Sequence, residues 1–264
     1  MIFEWENIRA WRTALVKDNA DVLGRLFMDR YKAEGYTRIY EDDLERYRRF
    51  FSDIDPVQII SDRARRRFNA IRTFHACAPQ DVSLYYRHGI VPLDASVIHQ
   101  EVRSAFLTDA YPEVTIDALE KAISETSSNL RHGRLFLGLD GRTLLDCGHY
   151  LIYGSEYRIA IAATLTRILG QRDYRMAFRS KGRPTVFACN LPIDAIEEED
   201  WEALVAKLII TSIVSRSDKS YQHLPLDFTF EIGTKVDPEW IIDHHHPLQV
   251  RDPYLRNTFV WNET

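Results

Sequence analysis

The hydrophobic period of the chain changes near residue 80, and this change constrains the fold more than any other feature. Before it, apolar residues recur at three- and four-residue intervals: Trp5, Ile8, Trp11 and Leu15, then Leu23, Leu26 and Phe27. That spacing draws one apolar stripe along a helix. A second helix is expected across 41–52, and a third from Asp55-Pro56, since proline suits a first helical turn. Pro79 closes the region. Beyond it, short β-branched and aromatic runs appear. "VSLYYRHGI" at 82–90 and "GRLFLGLDG" at 133–141 read as strands closed by glycine. "HYLIYGSEYRIAIAATLTRIL" at 149–169 reads as strand, turn and helix. "RPTVFACNLPI" at 183–193 is almost continuously apolar, as a largely buried strand is. "LDFTFEIGTKV" at 226–236 alternates and is a strand. Helices are expected at 94–107, 115–131 and 197–216, and the proline-rich tail from Asp237 as an ordered surface loop. The pattern is α+β: a helical N-terminal region over 1–79, followed over 80–264 by a mixed, mainly antiparallel sheet with interspersed helices.

Several classes are disfavoured at once. The longest apolar stretches, such as "LVAKLIITSIV" at 204–214, are shorter than the roughly 20 residues of a membrane span. The opening "MIFEWENIRAWR" carries acids, unlike a secretory signal. Three scattered cysteines, Cys77, Cys147 and Cys189, point to a reducing, cytoplasmic setting without a disulfide framework. Net charge is -5, so broad attraction to nucleic acid is absent. The exception is "RARRRFNAIR" at 63–72, where Arg63, Arg65, Arg66, Arg67 and Arg72 would form a basic helical face able to meet phosphates. Residues 1–75 also hold 13 acidic against 15 basic side chains, so most of those arginines are more simply read as solvated partners of nearby acids.

Three constellations carry candidate chemistry. In Tyr85-Tyr86-Arg87-His88-Gly89, Arg87 offers a fork of donors for phosphate, His88 can bind ribose hydroxyls, and Gly89 permits close approach. The plainer reading is an ion-paired arginine and a turn-capping histidine. Around Gly154, Tyr150, Tyr153 and Tyr157 offer flat faces for a ring, while Ser155 and Glu156 suit a helix N-terminus with or without a ligand. Third, Glu231 lies on the last clear strand, ahead of "DPEWIIDHHHP". His244 and His246 would share a face if extended and, with Asp243 or Asp252, could make a metal site; a polar loop is the simpler alternative and no metal is favoured. No P-loop, G-x-S-x-G or dinucleotide G-x-G-x-x-G occurs.

The order of these pieces resembles the ADP-ribosyltransferase fold over roughly residues 82–250: "LYYRHGI", then "HYLIYGSEYRIAIAATL", then a strand bearing glutamate followed by "DPEWI". The resemblance implies NAD as substrate. It places His88 or Arg87 against the ribose or phosphates, Tyr153 or Tyr157 under the nicotinamide, and Ser155 at a structural serine position. Glu231 becomes the catalytic carboxylate, with Glu239 and Glu156 as other candidate acids. The acceptor would be nucleic acid or protein, and the role that of a bacterial toxin or anti-phage effector. Two other classes compete. One is a non-enzymatic partner-binding protein, an antitoxin or assembly component that meets a cognate protein. The other is a His/Asp metal-dependent hydrolase.

Overall fold

In a computed structural model that describes residues 1–23, 55–127, 133–146, 148–217 and 226–261, the chain opens with strand β1 (Ile2–Phe3) and helices α1 (Ile8–Asp18) and α2 (Ala20–Leu23). The Asn7 side chain caps α1 by accepting from the Ala10 amide. Helix α3 (Pro56–Arg67) starts as the sequence predicts: Pro56 sits in the first turn, and the Asp55 carboxylate accepts from the amides of Val57 and Gln58. The helices expected at 41–52 and around Leu26 and Phe27 lie outside the described residues.

The all-helical reading of residues 1–78 fails at Ala70–Cys77, which is a strand, β2. Helix α3 stops at Phe68, and Asn69 ties the turn to two distant segments: its amide donates to the Met1 carbonyl and its carbonyl accepts from Ile193. The arginine run therefore does not continue as a helix, and Arg72 belongs to the sheet. A second correction concerns residues 82–90, where the aromatic run forms a short helix, α4 (Ser83–His88), instead of a strand. Asp81 accepts from the Ser83 amide at its start, and Tyr85 stacks on Phe187 at 4.6 Å. Packing of the half-buried Tyr85 against the core overrides strand propensity here.

Helices α5 (Ala95–Phe106) and α6 (Ile116–Ser127) match the reading, as does strand β3 (Leu135–Gly138). Then come α7 (Gly141–Asp146) and α8 (His149–Tyr153). The latter replaces an expected strand. Leu151, Ile152 and Tyr153 are buried in succession, which a one-sided strand does not allow. Helix α9 (Glu156–Leu169), strand β4 (Thr185–Pro192), helix α10 (Glu198–Ser217) and strand β5 (Thr229–Ile232) follow where the sequence puts them. The tail, expected as loop, holds three strands: β6 (Ile241–His245), β7 (Gln249–Asp252) and β8 (Asn257–Val260).

The main sheet runs β5-β3-β2-β4-β6, with β1 alongside β2; β7 and β8 form a separate hairpin. All its pairings among the described residues are antiparallel except β1–β2, so the α+β class holds. Strands β2 and β4 pair along their full length, from Ala70↔Pro192 to Cys77↔Thr185. Alternate residues of β4 face opposite layers. Phe187, Cys189 and Leu191 join a core with Leu15 of α1, Ile60 of α3 and Leu204 of α10. Val186 joins Leu151 and Ile152 of α8 and Val250 of the hairpin. The first core runs across residue 79, with Phe3 and Ile71 on one side and Phe230 and Ile241 on the other. Helices α5, α6 and α9 enclose a further apolar core around Phe106, Leu119 and Leu165. No helix among the described residues is long and apolar enough to cross a membrane.

Candidate functional site

The second constellation is held inside the fold. Tyr153 is 0% exposed. Its hydroxyl donates to Asp252 Oδ2 at 2.8 Å, its ring meets Tyr254 at 5.2 Å, and burial raises its pKa. Tyr157 is buried with its hydroxyl between His99 Nε2 at 2.7 Å and Ser127 Oγ at 2.8 Å. Tyr150 is half-buried against His149. Ser155 caps α9, accepting from the Arg158 amide at 3.3 Å. Glu156 is exposed, 3.0 Å from His149 Nε2. Neither Tyr153 nor Tyr157 presents an open ring face to a nicotinamide, so in this conformation both serve the core.

Arg87 and His88 are exposed at the end of α4. Arg87 donates to Ser83 Oγ at 3.2 Å and pairs with Asp81 at 3.6 Å. Gly89 has φ +84°, and an added Cβ would lie 2.1 Å from the Val236 carbonyl oxygen. Its glycine identity thus follows from close backbone approach. Gly89→Ala is expected to cost about 1–3 kcal/mol of stability, read as a lower urea midpoint; an unchanged midpoint would refute the clash.

Glu231 sits on β5 between Phe230 and Ile232, whose side chains enter the same core as Phe187. Its own side chain therefore faces the other side of the sheet, whereas α4 packs through Tyr85 on Phe187. The sheet stands between Glu231 and the residues Arg87 and His88. The Glu231 carboxylate is 39% exposed and 3.3 Å from Arg134 Nε. Glu239 is exposed in the single turn Pro238–Trp240.

Most of the expected basic face is matched by acids. Arg63 binds both oxygens of Asp21, at 2.6 and 2.8 Å, and holds that carboxyl down to about 2. Arg65 meets Glu198 at 2.6 Å and Arg67 meets Asp18 at 3.4 Å. Arg72, on β2, meets Glu4 at 3.0 Å and Asn190 at 2.9 Å; Arg66 is exposed. The solvated-partner reading of these arginines is the one the geometry favours. A shallow depression between α1 and α3, lined by Leu15, Asn19, Arg63 and Phe68 among others, has a cavity volume of about 10 Å³. Ligand pockets span roughly 300–1,000 Å³.

The feature that sequence reasoning missed is a split in the sheet. Strands β2 and β3 meet at one registered pair, Phe74↔Gly138, and then part. Just past that pair, the His75 Nδ1–H donates to the Phe136 carbonyl at 3.2 Å, as the accepting carbonyl requires. Burial lowers the His75 pKa, so the ring is neutral and Nε2 keeps its lone pair. The residue opposite Phe136 on β5 is Glu231. An imidazole and a carboxylate therefore belong to the strands flanking Phe136, with His75, opposite Phe187 on β4, facing the other side of the sheet from Glu231. Nearby Cys77 is no nucleophile, because burial pushes its thiol up to about 12. No family model, curated protein or solved structure matches the chain.

Proposed function

We propose that the chain is an NAD-consuming ADP-ribosyltransferase-like enzyme with Glu231 as its acid and His75, in place of His88 or Arg87, as its first-strand group. In the fold that the sequence resembles, the NAD-binding arginine or histidine sits on the first strand of the site. Residues 82–90 form a helix, so that place falls to β2, the strand before it. The observation that supports the reading is that His75 and Glu231 lie on the two strands flanking Phe136, beside the β2–β3 split; His75 is on the Phe187 face of the sheet and Glu231 on the other, so a substrate reaches both only through that split.

In this reading the Nε2 lone pair of His75 accepts from a ribose hydroxyl, keeping the sugar in place beside the split. The Glu231 carboxylate accepts from a second hydroxyl and stabilises the positive charge that grows on the ribose as nicotinamide departs. Arg134 holds Glu231 in an exposed pair worth about 0–1 kcal/mol, so releasing the carboxylate to substrate costs little. The paired arginines of α3 remove the argument for a nucleic-acid acceptor over a protein one. The test is nicotinamide release from NAD by the full chain, with and without cell lysate, RNA and DNA. Glu231→Ala is expected to lower the rate about 100-fold. Equal turnover by both proteins would overturn the assignment, and no turnover by the unaltered chain would favour a binding role.

A further inference from the structure

We propose that His244 and His246 form a two-imidazole site for a divalent transition-metal ion of the zinc, nickel and copper class, on the β6 edge of the sheet. Among the described residues, strand β6 has a sheet neighbour on one side only, β4. Residues two apart on an extended chain share a face, so His244 and His246 stand together while Asp243 and His245 point the other way. The histidine ring centroids are 5.0 Å apart. Two imidazoles bound to one tetrahedral ion through bonds of about 2.0–2.1 Å have centroids about 5 Å apart, the spacing of this pair.

Both rings are anchored through Nδ1. That of His246 lies 3.1 Å from the Pro184 carbonyl, a group that only accepts, so Nδ1 carries the proton and Nε2 keeps its lone pair. Thr185 Oγ1 is also 3.1 Å from this nitrogen, and its own proton goes to the Arg183 carbonyl. His244 Nδ1 lies 2.7 Å from the Tyr86 hydroxyl. With the phenol oxygen accepting, Nε2 of His244 is likewise free for an ion. An anchored Nδ1–H with an open Nε2 is the arrangement that metal-ligating histidines adopt. Among the described residues no three of His, Cys, Asp and Glu gather as a metal cage, so the protein gives two ligands and water completes the shell. Imidazole donors without carboxylates select this class over magnesium or calcium. The site lies on the edge opposite Glu231 and does not depend on the NAD reading.

The test is calorimetric titration of the untagged full chain with zinc and nickel chlorides, beside single variants whose folding is checked by circular dichroism. One ion per chain is expected, with a dissociation constant on the order of micromolar. His244→Ala and His246→Ala should each weaken it by about tenfold or more, and Tyr86→Phe should weaken it measurably through the lost anchor. His245→Ala should leave it unchanged. Absence of binding up to roughly 1 mM metal, or an equal loss in His245→Ala, would overturn the site.

Discussion

Replacing Asp252 by alanine is expected to lower the unfolding free energy by about 3–5 kcal/mol, the cost of breaking a buried charged network from one side. Asp252 is 0% exposed. Its Oδ2 accepts from Tyr153 Oη at 2.8 Å and from Arg179 Nε at 3.2 Å, and its Oδ1 from the amides of Tyr254 and Leu255, each at 3.0 Å. Alanine leaves a buried phenol, a guanidinium and two turn amides without their shared acceptor, and each orphaned donor carries its own desolvation penalty. The carboxylate also fastens the β7–β8 hairpin onto α8, because Tyr153 ends that helix and Asp252 ends β7. Tyr153→Phe removes one bond and keeps the ring, so its cost should be about 1–2 kcal/mol. Urea unfolding of both variants measures the difference. A loss below about 1 kcal/mol for Asp252→Ala would mean that water replaces the network and the hairpin is seated by apolar contact alone.

That network also explains which parts of the fold were legible in the sequence. Helices α5, α6 and α9 and strands β3 and β5 follow from periodicity, and α10 and β4 from apolar runs in which nearly every residue is buried. The aromatic runs at 82–90 and 149–153 carry strand propensity, yet each is a single helical segment ended by a positive-φ glycine, Gly89 or Gly154. What decides them is long-range: Tyr85 on Phe187, Tyr153 on Asp252. Strand β2 was hidden because Arg72 continues an arginine run whose helix has already ended at Phe68. The tail strands are four or five residues long and interrupted by prolines, too short for alternation to stand out.

The site divides in the same way. Glu231 was readable because its neighbours Phe230 and Ile232 mark the buried face of a strand. His75 was not, because nothing local distinguishes it; its meaning comes from the Phe136 carbonyl, 61 residues away in sequence. The pairing of the basic run with acids was legible from composition, but not which acids: Asp21, which meets Arg63, and Glu198, which meets Arg65, come from elements distant in sequence.

The decisive comparison is NAD turnover by His75→Ala against His88→Ala, read as nicotinamide release well below the unfolding midpoint of each variant. His75→Ala removes the group placed against the ribose and should lower turnover about 100-fold, a loss of transition-state binding near 2.7 kcal/mol. It also removes the hydrogen bond to the Phe136 carbonyl, so the unfolding midpoint is measured alongside and the assay kept where both variants are folded. His88 is exposed at the end of α4, off the two strands that flank Phe136, and its removal should leave turnover within about twofold. The reverse order, with His88→Ala inactive and His75→Ala active, would return the first-strand role to the Arg87-His88 segment and contradict a site at the β2–β3 split.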